Sequence, residues 1–325
     1  MIKAERLSKT YILKKKKHFW NKASIEYKEA VVDVSIDIEK GKIVGLLGVN
    51  GAGKTSTIKI LSTMIEPTSG EINIDGINAI KNPMIIKKNI NLITGGERNI
   101  YWRLTARENL QYFGSLYGLS GQQLKKNIEQ CLYIVQLEEI ADIPVEKYSK
   151  GMKQRLQIAR GLINNPDYIF LDEPTLGLDI IIAKELRNYV RQLAVTYNKG
   201  ILLTTHYISE AEELCDYIYI IDKGRIIAQG APYILKQQYS KSLKTQLVLH
   251  DWNKDFISSL NSIQNILSVN ESKETHEIEI TSSSDIISDC LALADQLGVK
   301  IIKIMLIEPK LEDSLLAIMG ANHEI

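Results

Sequence analysis

Gly48-Val49-Asn50-Gly51-Ala52-Gly53-Lys54-Thr55 decides the fold of this 325-residue chain. It fits the pattern G-x-x-x-x-G-K-[ST], and its flanks fit too. The apolar run Ile43, Val44, Leu46 and Leu47 before it predicts a buried strand, and Ile58, Leu61 and Ile65 after it are spaced as one face of a helix. Glycines let consecutive backbone N–H groups turn inward, and a helix N-terminus adds the positive end of its dipole. A polyphosphate suits that cradle, with Gly48, Asn50, Gly51, Ala52, Gly53 and Ser56 around it. Lys54 would reach the outer phosphates, and the Thr55 hydroxyl would hold Mg²⁺. A chance glycine-rich turn would not be expected to bring strand, lysine, threonine and helix together.

Working outward, the composition sets bounds. A formal net charge of +1 gives no case for a nucleic-acid partner. Cys131, Cys215 and Cys290 lie far apart, without metal-ligand or disulfide spacing, and read as small buried apolar residues in a reducing compartment. No apolar run approaches the ~20 residues of a membrane helix, and the first residues do not read as a signal peptide. The expectation is a cytoplasmic protein that meets a membrane only through a partner or a surface.

N-terminal to the loop, Ile2–Ser8 and Ala30–Ile38 read as strands, the second alternating Val32, Val34, Ile36 and Ile38. Between them lie four lysines, Lys14, Lys15, Lys16 and Lys17, followed by His18, Phe19 and Trp20. A solvated loop is the simpler reading; a patch resting on anionic lipid headgroups, at ~1 kcal/mol per lysine, is the sharper one. From about residue 97 to 147 the pattern is helical, and strands return at 168–171, 201–204 and 217–221. The last of these turns through Lys223-Gly224, a tight hairpin signal. Beyond a polar linker at 237–244, the order strand, helix, strand, strand, helix, strand predicts a small α+β, ferredoxin-like domain over 245–325.

Ile169-Phe170-Leu171-Asp172-Glu173 is an apolar strand ending in two acids. Acids at strand ends are often only helix caps. Beside a phosphate loop, Asp172 is placed to hold Mg²⁺ through water and Glu173 to orient and deprotonate an attacking water. Upstream, Tyr148-Ser149-Lys150-Gly151-Met152 opens another helix with an anion-binding look.

Together these residues resemble the ATP-binding cassette (ABC) transporter family, in its nucleotide-binding subunit. Tyr148–Met152 resembles the signature loop, usually L-S-G-G-Q, departing from it at Tyr148, Lys150 and Met152. By that resemblance, Ser149 and Gly151 contact ATP held by a second subunit, and Asp179, in Leu176-Gly177-Leu178-Asp179, spans the dimer interface. His206, after Thr204-Thr205, matches the switch histidine, and Tyr11 the aromatic that stacks on adenine, with Trp20 and Tyr27 as competitors. Aligning Leu104-Thr105-Ala106-Arg107-Glu108-Asn109-Leu110 puts Gly96 where the family has a glutamine that reaches Mg²⁺, so Glu97 or a water would substitute. Thr94–Arg103 resembles the same stretch of type-2 exporters that move antibiotics, drugs, lipids or polysaccharides.

The resemblance implies an α/β phosphate-loop core with an antiparallel β subdomain and a helical insertion, over residues 1–236. It implies ATP and Mg²⁺, a second nucleotide-binding subunit, and a separate integral membrane permease, at the inner face of the cell membrane. The rivals are an ABC ATPase with no transport role and a regulatory subunit that binds ATP but cuts it weakly. The absence of any basic stripe speaks against the first, and no Asn-Lys-x-Asp motif for guanine occurs.

Overall fold

The structure is a computed structural model and describes residues 1–15, 24–94, 100–239, 243–307 and 310–321. The chain forms two compact units, Met1–Pro232 and Tyr233–Ile325.

The first unit begins with β1 (Ile2–Lys15), β2 (Ser24–Ile38), β3 (Ile43–Leu47) and α1 (Lys54–Leu61). It continues through β4 (Ser69–Ile74), β5 (Ile77–Asn78), α2 (Pro83–Ile86) and β6 (Ile90–Thr94). A helical layer follows: α3 (Ala106–Leu116), α4 (Gly121–Ile134) and α5 (Lys150–Leu162). The unit closes with β7 (Tyr168–Asp172), α6 (Ile180–Val195), β8 (Gly200–Thr205), α7 (Ile208–Leu214), β9 (Tyr217–Asp222) and β10 (Arg225–Gly230).

β3 lies inside a six-stranded sheet ordered β10-β9-β3-β8-β7-β6, parallel except for the β9–β10 hairpin. All five of its residues are buried, which is why Ile43–Leu47 is a near-continuous apolar run. The sheet's order brings the C-terminal ends of β3, β7 and β8 side by side, at the edge where such sheets bind ligands. A second, antiparallel sheet is ordered β2-β1-β4-β5. Its inner residues Ile2, Leu7, Val34, Ile36 and Ile72 form one core with Ile58 and Leu61 of α1 and with Phe170 and Leu202 of the parallel sheet. That core fixes the phosphate loop between the two sheets.

Two strands are longer than the sequence predicts. β1 runs on past Ser8 and β2 begins before Ala30, because Tyr11 pairs with Lys28, Leu13 with Glu26 and Lys15 with Ser24. This ribbon is exposed and rich in charge, so it carries no apolar alternation to betray it. Lys14 and Lys15 lie near its tip; Lys16, Lys17, His18, Phe19 and Trp20 fall outside the described residues, as do Gly96 and Glu97. The Lys223-Gly224 hairpin is a two-residue turn with φ of 46° and 79°, the left-handed pair of a type I′ turn. It clips the sheets together: Gly224 N donates to Ala52 O at 2.8 Å, and Val32 N donates to Gly224 O at 2.8 Å.

In the second unit α8 (Pro232–Tyr239) ends, and β11 (Leu243–Leu249) begins, within the stretch expected as a linker. Then come α9 (Lys254–Leu260), β12 (Ile266–Ser272), β13 (Glu277–Ser282), α10 (Ile287–Gln296), β14 (Ile301–Ile307) and α11 (Leu311–Ala321). The four strands form an antiparallel sheet ordered β12-β13-β11-β14. Leu247, Leu249, Ile278 and Ile280 pack on Phe256, Leu260 and Cys290 of the two helices between strands.

Candidate functional site

The phosphate loop leaves β3 and enters α1 with no spare volume. A Cβ on Gly48 would lie 2.4 Å from the carbonyl oxygen of Ile221. Gly53 has φ of 111°, and a Cβ there would lie 2.5 Å from Ala30 O. Any side chain at either position would push the loop off its supports. Gly53 is also the N-cap of α1 and offers no capping side chain, so the first N–H groups of that helix stay available to an anion.

Lys54 is only 4% exposed. Its Nζ donates to Gly48 O at 2.7 Å and Val49 O at 3.2 Å, and lies 3.4 Å from Oε1 of Glu173. The end of β7, separated from β3 by β8 in the sheet, supplies the acids. Asp172 closes β7, and its Oδ1 accepts the Thr204 hydroxyl at 2.6 Å. Glu173 has φ of 49°, a left-handed conformation that costs a non-glycine residue about 1–3 kcal/mol unless its surroundings impose it. Here they do: Glu173 N donates to both the carbonyl and the hydroxyl of Thr204, each at 3.1 Å. One residue on, Pro174 O accepts Gln154 Nε2 at 3.0 Å. His206 follows β8, with Nδ1 3.3 Å from the same Glu173 oxygen that faces Lys54. Lysine, glutamate and histidine, which lie 119 and 33 positions apart, thus converge on one carboxylate oxygen.

The loop opens into a cavity of about 490 Å³ lined by Tyr11, Asn50, Gly51, Gly53, Lys54, Thr55, Ser56 and Glu173. Tyr11 comes from the β1–β2 ribbon, its hydroxyl 3.4 Å from Ser56 Oγ. Leu13, Lys28, Glu29 and Lys223 line the same space and were missed from the sequence. The signal for Lys28 is its register opposite Tyr11, which needs the pairing to be known. Thr204, Gln154 and Thr205, which hold the acids and the histidine in place, were missed for a similar reason.

Ser149, Gly151 and Asp179 do not line this cavity. They form a separate cluster of loops on the same unit. Ser149 caps α5, its Oγ accepting from Met152 N at 3.2 Å. Gly151 packs on α6, where a Cβ would come within 2.9 Å of Ile182 Cδ1. Asp179 caps α6 by accepting from Ile182 N at 2.9 Å. The three departures from the signature pattern all have local tasks. Tyr148 is buried and donates to Ile140 O at 2.6 Å, and burial together with the charge of Asp142 pushes its hydroxyl up to about 12. Lys150 donates to Gly177 O, and Met152 Sδ accepts from Ser149 N at 3.4 Å.

No cluster of three or more His, Cys, Asp or Glu side chains suited to a metal occurs among the described residues. Mg²⁺ on a nucleotide does not need one, because it binds one or two protein oxygens, phosphate oxygens and waters. The Thr55 hydroxyl and the Asp172 carboxylate fit that donor set.

A glycine loop between a parallel strand and a helix, a buried lysine and an Asp-Glu pair at the end of β7, one strand beyond β8 in the same sheet, define a phosphate-loop nucleoside triphosphatase. A family model for ABC transporters matches residues 31–176. The linearmycin resistance ATP-binding protein LnrL of Bacillus subtilis (strain 168) is 32% identical over 295 residues, covering 90% of this chain and 94% of that protein. The bacitracin transport ATP-binding protein BcrA of Bacillus licheniformis is 36% identical over 303 residues, again covering 90% and 94%. A dimeric ATP-binding cassette solved in a post-hydrolysis state with ADP and Pi superposes with a TM-score of 0.60 at 27% identity, covering 71% of this chain and 98% of that one. This chain belongs to the ABC transporter family, as an ATP-binding subunit that hydrolyses ATP to drive transport.

Proposed function

We propose that this chain is the ATPase subunit of an ABC exporter and that two such subunits enclose ATP between the phosphate loop of one and the Ser149 loop of the other. The observation that carries the reading is the division of the site. Lys54, Glu173 and His206 converge at the phosphate loop, while Ser149 and Gly151 stand apart from the cavity. A solved relative is dimeric.

In this reading Tyr11 stacks on adenine, and the N–H groups of Gly51 to Ser56 and the Lys54 ammonium hold the phosphates. Thr55 and Asp172 hold Mg²⁺, which when bound neutralises phosphate charge. Glu173 accepts a proton from the water that attacks the γ-phosphorus, and the bond to the bridging oxygen breaks toward ADP. His206 fixes that water and the γ-phosphate together with Glu173. The Ser149 hydroxyl of the facing subunit accepts from its own helix and still has its proton to donate to a γ-oxygen. Closing on ATP and reopening after hydrolysis would be passed to a separate membrane permease through the helical layer α3–α5.

Among the described residues no helix is long and apolar enough to cross a membrane, which suits a peripheral place beneath such a permease. Relatives named for bacitracin transport and linearmycin resistance support an exporter of antibiotic-like compounds. The second unit, with strands in the order β12-β13-β11-β14 and a helix in each crossover, is assigned a ferredoxin-like fold and an accessory role.

Steady-state ATP turnover tests the assignment. Glu173→Gln is expected to lower kcat by about a thousandfold or more while ATP still binds. The same variant, loaded with ATP, is expected to sediment as a pair of subunits. Full turnover would remove Glu173 from the chemistry.

A further inference from the structure

Two lysines line the cavity over the phosphate loop and have no part in ATP hydrolysis as assigned so far. Lys28 comes from the β1–β2 ribbon and Lys223 from the β9–β10 hairpin. They arrive by independent routes. In β2, Lys28 pairs with Tyr11 of β1, and directly opposed residues of an antiparallel pair project from the same face. Leu13 lies two residues beyond Tyr11 and shares that face. All three line the cavity. Glu29 borders it as well, but as the next residue along β2 its side chain alternates to the other face of the ribbon.

Lys223 is placed by the turn it opens. Its φ of 46° is a left-handed backbone state that asparagine or glycine enters more readily than lysine. The next residue, Gly224, donates from its N–H to Ala52 O at 2.8 Å, which pins the hairpin tip to the middle of the phosphate loop. A turn that asparagine would satisfy thus carries an ammonium group over the loop whose backbone cradles the inner phosphates of a nucleotide. Charge decides what the two side chains meet. Lys54 stands 3.4 Å from the Glu173 carboxylate, which offsets part of its charge. Lys28 and Lys223 are exposed, and among the described residues neither forms an ion pair with an acid. The cavity therefore offers two uncommitted cations to a ligand whose negative charge sits on its phosphates.

We propose that Lys28 and Lys223 form a cationic rim that binds the phosphates ATP and ADP have in common. The rim rests on the assignment of this cavity to ATP, with Tyr11 at the base. Lys28 stands beside Tyr11 and Lys223 over Ala52, so both act toward the part of the nucleotide that is not transferred. The rim therefore sets affinity for ATP and ADP alike and leaves the chemical step to Lys54, Glu173 and His206.

Calorimetry of the purified full chain with ADP and with ATP tests it, at subunit concentrations too low for pairing and with steady-state turnover measured alongside. Lys28→Gln and Lys223→Gln are each expected to raise Kd for both nucleotides about fivefold at low salt, the upper scale of an exposed ion pair, with kcat within about twofold. The double variant should lose about twenty-fivefold, since the two side chains come from separate elements and act independently. Lys28→Arg and Lys223→Arg keep the charge and should stay within about twofold of the unaltered chain. At about 1 M salt, where screening reaches down to about 3 Å, the Gln variants should approach the unaltered chain. Unaltered affinity in either Gln variant at low salt, a loss that persists in full at high salt, Arg variants as weak as the Gln variants, or a fall in kcat with Kd unmoved would each overturn the rim. Lys54→Ala run beside them separates the two assignments. If it binds ATP as well as the unaltered chain, the cavity is not the nucleotide site and the rim falls with it. If it fails to bind while both Gln variants bind normally, only the rim falls.

Discussion

Two helix N-termini in the first unit are both assigned to phosphate in the proposed scheme, and they are finished differently. α1 starts from Gly53, with no capping side chain and a cavity of about 490 Å³ in front of it. α5 starts from Ser149, whose hydroxyl already caps the helix and which lines no part of that cavity. The first is a helix end whose uncapped N–H groups suit an anion. The second is a closed helix end with one O–H proton left to give. A site built from one of each needs two chains, since within one unit they do not meet.

That contrast can be broken at either end, and the expected effects differ in kind. Lys54→Ala removes the buried positive charge of the phosphate loop, and turnover is expected to fall at least about a thousandfold, with ATP binding lost alongside it; calorimetry with ATP and a turnover assay read both. Ser149→Ala should lower kcat by about a hundredfold through loss of a single donor to the transferring group. It should leave ATP binding by a lone subunit unchanged, and lose about 1 kcal/mol of stability as α5 loses its cap. If Ser149→Ala instead weakened ATP binding at subunit concentrations too low for pairing, the two helix ends would belong to one site and the contrast would fail. Tyr11→Ala gives the smallest change. Losing a base stack of ~1–3 kcal/mol raises KM for ATP by about tenfold and leaves kcat near its original value. A pure kcat effect there would move Tyr11 out of the base site.

The same contrast explains what could be read without coordinates. Gly48–Thr55 is legible because loop, lysine and helix start are consecutive, and backbone sterics at Gly48 and Gly53 admit only glycine. Asp172-Glu173 and His206 are legible because each ends an apolar strand, and parallel strands placed side by side align their ends. The supports of those residues are not legible. Thr204 and Gln154 are ordinary residues in an ordinary strand and helix, and what makes them supports is proximity across 31 and 20 positions to the acids' loop. The length of the β1–β2 ribbon was hidden because an exposed ribbon needs no apolar pattern. Lys28 entered the cavity only through that ribbon's register.

By itself the chain of residues pointed to the chemistry: where a glycine loop forms a cradle, which acids stand at strand ends, and which family the motifs resemble. Those features are local, set by steric limits on a few consecutive backbone angles and by hydrophobic periodicity. Tertiary structure alone decided that Lys54 and His206 share one oxygen of Glu173, and that Ser149 does not line the cavity. Such relations depend on distances between residues far apart in the chain, which only the packing of two sheets and their helices around a common core can set.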